Sequence, residues 1–330
     1  MNHVERFINT MSFRPVDRMP VVEWAGYWNL TTDRWRKEGL PADLKDAAAV
    51  REYFGLDPWR QLWVRPRAAT FPKLPKDTPA VRNMADYERL MPHLYPEPAF
   101  DPAPVREWAE RQRRGEMVVW ISLDGFFWFP RTLFGIEGHL YAFYDNADLM
   151  RRMNEDLLRF NLRVVEEFCR ICVPNFMTFG EDMSYNHGPM LSKALFDEFL
   201  APCYRRIVPV LKERGILPMV DSDGDVAPLI PWLKEAGLEG ILPLERRAMV
   251  DAPALRRAHP QWRMVGAFDK TVMHLGEAAL RAEFERLLPL MRGGGAIISC
   301  DHQTPPEVSL ADYRLYVRLL KEYAEKAGRG

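Results

Sequence analysis

Short apolar segments recur along the 330-residue chain, and nearly every one ends in an acidic or otherwise reactive side chain. They alternate with helical stretches, and this alternation predicts a parallel sheet with right-handed crossovers. We therefore predict the α/β class and a single (β/α)8 TIM barrel. The strand ends of such a barrel converge on one rim, which carries the active site. Side chains expected there are Glu23, Asp124, Glu181, Asp182, Asp221, Asp223, Glu245, Asp269, Lys270, Cys300, Asp301 and His302.

The predicted elements follow this alternation over the whole chain. Strands are expected at about 19–25, 117–123, 175–181, 217–221, 240–244, 263–267 and 296–300, with an eighth from 61–68 or irregular. Helices are expected near 131–142, 146–170, 192–214, 226–236, 252–259, 276–292 and 309–327. We predict one domain over residues 1–330, with the proline-punctuated stretch at about 56–100 as an insertion near the rim.

Composition excludes several classes of partner. Lys plus Arg number 45 against 46 Asp plus Glu, which gives no reason to expect nucleic acid or an anionic membrane. No apolar run approaches the roughly 20 residues that a spanning helix needs. Four cysteines in a chain of this length do not make a disulfide framework, so we expect a reducing, cytoplasmic location.

The sharpest local signal is Asp221-Ser222-Asp223-Gly224. Two carboxylates at one strand exit favour a bound cation or share a proton, and the glycine permits the tight turn that aims them. The alternative is that one of the acids caps the next helix, for which Asp225 is the natural residue.

Two further strand exits carry candidate metal ligands. Cys300 and His302 offer a thiolate and an imidazole, which suit zinc or acid–base chemistry. The alternatives are a buried packing role for Cys300 and a hydrogen-bonded rim position for His302. Glu245 follows an apolar strand, where a carboxylate must be paired, liganded or exposed. A salt bridge to Arg246 or Arg247 is its alternative.

Loops and aromatic side chains supply candidate substrate contacts. Asp182 and Asn186 lie in a glycine-bounded loop at 180–189, and such loops often position ligands. Asp182 has the alternative of capping a helix. The aromatic residues Trp24, Trp28, Phe126, Phe127 and Trp128 follow the first two predicted strands. They are candidates for the wall of a pocket, with core packing as the alternative.

Five segments occur in order along the chain: RPVDRMPVVEW, GEDMSYNHGPMLSKALFDEFLAPCYRRI, VDSDGDVAPLIPWLKEAGLEGILPLE, VGAFDK and CDHQTPPEVSLADY. Together they resemble the uroporphyrinogen decarboxylase superfamily over essentially the whole chain. The resemblance implies a distorted (β/α)8 barrel with its site at the carboxyl-terminal rim. One branch of the superfamily decarboxylates tetrapyrrole acetate groups without a cofactor. The other contains zinc-dependent methyltransferases that use a corrinoid protein or coenzyme M.

Departures from both branches favour a divergent subgroup nearer the methyltransferases. The decarboxylase branch carries a basic stretch after the first strand, whereas residues 22–28 here contain Glu23 and no arginine. The methyltransferase branch carries His-x-Cys where this chain has Asp221 and Asp223, and its later cysteine matches Cys300. A site drawn from these two acids and Cys300, with Glu245 and His302, would still suit a divalent metal.

The resulting hypothesis is a methyltransferase or demethylase. It would move a methyl group from a small O-, N- or S-methylated substrate to a corrinoid protein or a thiol acceptor, assisted by zinc or another divalent metal. The expected catalytic residues are Asp182, Asp221 and His302, and the expected metal ligands are Asp223, Glu245 and Cys300. The expected substrate-binding residues are Glu23, Trp24, Trp28, Phe127, Trp128, Asn186 and Lys270.

Two alternatives remain open at this stage. One is a cofactor-free decarboxylase acting on a carboxylated substrate, in which Lys270, Arg246 or Arg247 would bind the carboxylate. The other is a non-catalytic protein that binds a tetrapyrrole or a corrinoid. Barrels of the superfamily often dimerise, so the resemblance also admits a homodimer.

Overall fold

The structure is a computed structural model that describes residues 1–75 and 78–328. Within these ranges the strands are β1 (Trp59–Val64), β2 (Val118–Asp124), β3 (Phe176–Gly180), β4 (Ser184–Tyr185), β5 (Gly188–Pro189), β6 (Leu217–Asp221), β7 (Gly240–Leu242), β8 (Arg263–Phe268) and β9 (Ala296–Cys300). Six predicted strands are thus confirmed to within a few residues. The exception is the first, at 19–25.

Helices separate most of the strands. They are α1 (His3–Met11), α2 (Asn29–Lys37), α3 (Ala47–Tyr53), α4 (Met84–Leu90), α5 (Pro102–Arg113), α6 (Trp128–Phe134), α7 (Ile136–Asp145), α8 (Ala147–Cys169), α9 (Lys193–Leu195), α10 (Ala201–Glu213), α11 (Ile230–Glu235), α12 (Ala252–Ala258), α13 (Glu277–Arg292) and α14 (Leu310–Gly328). A π-helical turn, Phe196–Leu200, joins α9 to α10. No helix in the described ranges combines the length and the hydropathy needed to cross a bilayer.

The main sheet corrects the predicted architecture. Across the described residues it has seven parallel strands in the order β1-β2-β3-β6-β7-β8-β9, and β1 does not pair with β9. The prediction of a single eight-stranded (β/α)8 barrel of the uroporphyrinogen decarboxylase type is therefore wrong. The parallel α/β arrangement itself is present, with a barrel-like course of strands.

The segment 19–25 occupies the gap between β9 and β1 without forming a strand. Pro20 has no N–H to donate. The N–H of Val21 donates to the Asp57 carboxylate at 3.0 Å, and the N–H of Met19 donates to the carbonyl of Ala324 in α14 at 3.1 Å. Because these N–H groups donate to a side chain and to a helix carbonyl, they are not available for hydrogen bonds to a neighbouring strand. Nearby, a single parallel bridge joins Tyr27 to Thr304.

Alternate side chains of the strands point into the sheet's concave interior. The inner cluster is closed at the amino ends of the strands by α1, and it comprises Phe7, Met11, Val22, Trp59, Val118, Trp120, Phe176, Met219, Leu242, Val265 and Ile297. The Phe7 and Phe176 rings stack with centroids 5.2 Å apart. Apolar burial fills the amino-terminal half of the interior, which leaves the carboxyl-terminal half for polar groups.

The stretch 56–100, expected as an insertion, contains an integral part of the sheet. Strand β1 lies within it and pairs with β2 from Trp59 opposite Val118 to Val64 opposite Leu123. Side chains alternate along this strand, and those of Gln61 and Trp63 lie on its inward side, beside the interior. The strand overlaps, at residues 61–64, the 61–68 region that we considered for an eighth strand.

Candidate functional site

A cavity of about 310 Å³ lies at the carboxyl ends of the strands. Its walls come from the 19–27 segment, from β1 and from the loops after β3, β6 and β9. The lining residues are Trp24, Ala25, Gly26, Gln61, Trp63, Asp182, Asp221, Asp223, His302 and Gln303. Its size falls at the lower end of the range for small-molecule sites.

A chain of polar side chains lies beneath the cavity. The Gln61 amide donates to the Ser122 hydroxyl at 2.8 Å, and that hydroxyl shares a 2.7 Å hydrogen bond with Thr178. The Trp120 indole also donates to Thr178, at 2.9 Å. These polar groups are therefore paired with one another at the boundary between the apolar core and the cavity.

Two indoles form walls whose orientations are fixed by hydrogen bonds. The Trp24 Nε1 donates to the carbonyl of Cys300 at 2.8 Å, and its ring meets His302 edge to face at 6.0 Å. The Trp63 Nε1 donates to Asp124 at 2.9 Å, and the Arg65 guanidinium lies 3.8 Å above its ring centre. Both indole N–H groups are thus occupied outside the cavity.

Three aspartates face the cavity from the ends of β3 and β6. Burial, followed by repulsion from Asp182 and Asp223, raises the pKa of Asp221 well above its usual range. Burial and the charges of Asp182 and Glu245 raise the pKa of Asp223 to about 7. The pKa of Asp182 is also raised by burial, although the backbone N–H of Asp223 donates to it. The group therefore favours protons or a bound cation.

Gly224 sets the direction of the β6 loop. Its φ is +85°, and a Cβ there would lie 2.7 Å from the backbone nitrogen of Tyr185. The close approach to β4 turns the chain immediately after Asp223, as the sequence predicted. Asp225 lies one residue before the N-cap position of the following 3₁₀ turn, Ala227–Leu229, and its carboxylate accepts from the N–H of Ala227 at 3.2 Å.

Asp223, Glu245 and His302 converge beside the cavity. One ligand atom from each lies within 4.8 Å of the others, and His302 Nε2 is 3.7 Å from Asp223 Oδ2. Burial, with the nearby Lys270 ammonium, lowers the pKa of His302 and keeps the imidazole in the neutral form that binds metals. Two carboxylates and one imidazole form a donor set suited to a catalytic zinc site with open positions.

Lys270 pairs with acidic side chains next to this group and is not among the residues that line the cavity. Its ammonium is 2.9 Å from Glu245 and 3.8 Å from Asp301, and these charges outweigh burial to raise its pKa. Asp301 is fully buried and accepts from the N–H groups of Arg246 and Lys270. The partner of Glu245 is thus Lys270, not the side chain of Arg246 or Arg247 that we considered.

The Cys300 thiol is not brought to the metal-ligand candidates. Ile297 belongs to the inner cluster, so Ser299 points inward and Cys300 points outward. Its Sγ lies 3.7 Å from the sulfur of Met273 in the core. Burial, with the charges of Glu23 and Asp301, raises its pKa well above the usual range, which disfavours the thiolate.

Several expected substrate contacts also lie outside the cavity. Glu23 is buried, accepting from the Tyr316 hydroxyl at 2.6 Å and the N–H of Cys300. Trp28 is 48% exposed at the start of α2, and Phe127 is buried against His139. Two others are absent from the lining, because Asn186 lies exposed in the β4–β5 turn and Trp128 packs under Arg131.

Glu181 has a structural role that the strand-exit pattern did not distinguish. Its buried carboxylate accepts from the N–H groups of Phe126, Phe127 and Trp128, and from the Tyr204 hydroxyl. It therefore caps the start of α6. The lining residues that sequence reasoning missed are Ala25, Gly26, Gln61, Trp63 and Gln303. Alternation within 59–64 would have found Gln61 and Trp63 had this stretch been assigned to the sheet.

The fold and site define a parallel α/β protein with an acidic, aromatic-walled cavity at its strand ends. A family model described as Uroporphyrinogen decarboxylase (URO-D) matches residues 135–323, which is more than half of the chain. The chain belongs to this family, as the sequence motifs indicated, and the description names an enzyme. The search of curated proteins found no match.

Among solved structures, the chain is similar to an L-ribulose 3-epimerase, with 11% identity and a TM-score of 0.45 over 81% of this chain and 95% of that one. A D-psicose 3-epimerase in the presence of D-fructose matches at 12% identity and a TM-score of 0.39, over 69% and 82%. A xylose isomerase-like TIM barrel protein from Mycobacterium smegmatis, in complex with magnesium, matches at 12% and 0.39, over 83% and 98%. Similarity at this level carries no functional conclusion.

Proposed function

We propose that the protein is a metal-assisted methyltransferase or demethylase. It would take a methyl group from a small O-, N- or S-methylated substrate and pass it to a corrinoid on a partner protein or to a thiol acceptor. The observation that supports this most directly is the convergence of Asp223, Glu245 and His302 beside the cavity. Family membership is consistent with chemistry related to decarboxylases and methyltransferases. Between these two classes, a donor set suited to a metal ion favours the methyltransferases.

Asp223, Glu245 and His302 would hold a zinc or other divalent ion. Such an ion would supply a Lewis acid or would hold an acceptor thiol as its thiolate. Lys270 orients the Glu245 carboxylate through their 2.9 Å ion pair. This supporting contact keeps the ligand in place without itself touching the substrate.

The remaining cavity groups would bind the substrate and manage its proton. Asp182 and Asp221 face the cavity, and Asp221 retains a proton more readily than an exposed carboxyl group. Trp24 and Trp63 would seat the apolar part of the substrate. The cavity of about 310 Å³ is too small for a corrin macrocycle, so a corrinoid acceptor would approach from a partner protein.

Elemental analysis of the purified protein tests the metal site. After dialysis against dilute zinc, we expect about one equivalent in the wild type and a large loss in D223N, E245Q and H302A. Removing a ligand should reduce affinity beyond the ~10–100-fold that loss of a supporting contact causes. The matched control is C300A, which should keep its zinc because the thiol lies in the core. Full zinc in all three ligand variants would contradict the site.

Chelator treatment separates this proposal from a cofactor-free decarboxylase. The observation that favours decarboxylation is the burial of Asp221 at the cavity wall, which raises its pKa and would suit it to act as a general acid. Methyl transfer from a panel of methylated substrates to cob(I)alamin or a thiol should stop in chelator and return with zinc. Turnover of a carboxylated substrate that survives chelation would favour the decarboxylase instead.

A further inference from the structure

The Asp221 carboxylate lacks a partner although it is buried. It is 9% exposed, it lines the cavity, and it makes no hydrogen bond or ion pair with any residue in the described ranges. Its neighbour Asp182, by contrast, accepts from the backbone N–H of Asp223. A buried carboxylate without a partner is unfavourable, so a ligand that supplies positive charge would satisfy it.

Within residues 1–75 and 78–328, the nearby cationic side chains already have partners. Lys270 pairs with Glu245 at 2.9 Å, and Arg65 pairs with Asp124 at 2.7 Å. The Arg131 guanidinium donates to the backbone carbonyl of Asp182 at 2.7 Å rather than to its carboxylate. The side of the cavity at Asp182 and Asp221 therefore holds two carboxyl groups for which the described side chains supply no compensating cation, so a cationic ligand would favour their ionised forms.

Beyond the amide of Gln303, the lining side chains offer few hydrogen-bond donors to an anion or a neutral polar ligand. The indole N–H of Trp24 donates to Cys300, that of Trp63 donates to Asp124, and the Gln61 amide donates to Ser122. What the two indoles contribute to the cavity is aromatic surface. Aromatic rings beside carboxylates attract organic cations, through the ring quadrupole and through charge.

The cavity is also larger than a second metal ion requires. At about 310 Å³ it holds a small organic molecule beside the Asp223–Glu245–His302 group. We propose that the part of the cavity formed by Asp221, Asp182, Trp24 and Trp63 binds a small organic cation with N-methyl groups, so that the N-methylated class is the substrate. This inference rests on the proposed function and narrows its choice among O-, N- and S-methyl donors.

A pair of probes with the same shape tests the charge requirement. Choline and its neutral analogue 3,3-dimethylbutan-1-ol would be titrated into zinc-treated wild-type protein by calorimetry. We expect choline to bind at least about tenfold more tightly, since cation–π and charge contacts together exceed the ~1.4 kcal/mol that a factor of ten requires. Equal affinities, or no binding of either probe at millimolar concentration, would overturn the proposal.

Variants then locate the site. D221N should abolish most of the preference for choline, and W24L or W63L should weaken choline binding, while D43N, an exposed charge change of the same size, should leave the preference intact. An unchanged preference in D221N would refute the assignment even if the protein binds choline.

The zinc content of the same samples distinguishes failure of this inference from failure of the proposed function. Zinc binding without selection for choline would overturn the cationic substrate and leave the metal site standing. Selection for choline that depends on Asp221, in a protein that takes up no zinc, would support the cation site and overturn metal-assisted transfer.

Discussion

Glu23 shows how one buried carboxyl group can govern the response of this protein to pH. Burial raises its pKa from 4.5 to about 7, although hydrogen bonds from Tyr316 and Cys300 oppose the shift. The folded state therefore binds this proton more tightly than the unfolded chain does. Its contribution to stability is fully present below about pH 4.5 and is lost as the pH rises through 7.

We predict that E23Q reduces this pH dependence. In the wild type, the contribution of Glu23 to the free energy of unfolding should fall by up to about 3 kcal/mol between pH 5 and 8, because a raised pKa stabilises only the protonated form. Urea denaturation of metal-free protein at several pH values measures this. The exposed variant E107Q serves as the control. Identical pH profiles for E23Q and wild type would contradict the prediction.

The residues of the site could be predicted from sequence only as far as strand alternation could be followed. Asp221 and Asp223 were identifiable because a carboxylate directly after an apolar strand is unfavourable unless it is paired, liganded or exposed. Cys300 was not placed correctly because all of 296–300 is apolar or small, so the sequence alone does not show which positions point inward. Met219 in β6 and Ile297 in β9 fix those alternations in the structure.

At the scale of elements, Glu181 joins β3 to the start of α6. Its carboxylate accepts from three successive backbone N–H groups, at 126–128. An acid at a strand exit can thus serve a neighbouring helix instead of a ligand. The sequence could not distinguish these roles, because the helix it caps begins about 50 residues earlier in the chain.

We predict that E181A lowers the free energy of unfolding by about 3 kcal/mol or more, because it leaves several buried N–H groups without acceptors. Urea denaturation measures the change. E137A, on the exposed start of α7, should change stability by less than about 0.5 kcal/mol. A similar stability for the two variants would show that the cap contributes little.

The 19–27 segment is held by side chains instead of a strand ladder. Asp57 accepts from the N–H of Val21 and pairs with Arg18 at 2.7 Å. The nearby His3 imidazole and these two contacts together outweigh burial and hold the pKa of Asp57 below its usual range. The pattern MPVVEW predicted a strand because it is apolar and β-branched. The sequence pattern does not show that the backbone N–H of Val21 donates to Asp57 instead of to a neighbouring strand.

We predict that D57N destabilises the protein by about 3–5 kcal/mol, because it leaves the Arg18 charge without its buried partner. Hydrogen exchange should also quicken at residues 21–25 before it quickens in β2 or β3. The control D33N lies on the exposed side of α2. Uniform acceleration across the sheet would argue against a local anchoring role.

At the scale of the whole molecule, the proposed metal site joins loops that are far apart in sequence. Asp223, Glu245 and His302 follow β6, β7 and β9, and the unfolded chain cannot hold them together. The alternation of elements predicted most of these strands and helices. That the sheet stays open between β9 and β1 was not predictable, since it depends on contacts between the two ends of the chain, such as that of Met19 with Ala324.

We predict that zinc stabilises the folded protein by mass action. At a free zinc concentration one hundred times the dissociation constant, the free energy of unfolding should rise by about 2.7 kcal/mol. Thermal denaturation with increasing zinc measures this, and H302A should lose the increase. H187A, in the exposed β4–β5 turn, should retain it. An equal zinc response in H302A would place the ion elsewhere.

The gap between β9 and β1 has a consequence for how this protein can be altered. Trp24, Ala25 and Gly26 form part of the cavity wall, yet the seven-stranded sheet pairs its strands without them. We therefore expect changes confined to these three residues to reshape the cavity while the hydrogen-bonded framework stays intact. With the proposed ligand site in this cavity, scaffold and selectivity become separable, and the segment 24–26 is the natural place to diversify when new activities are sought.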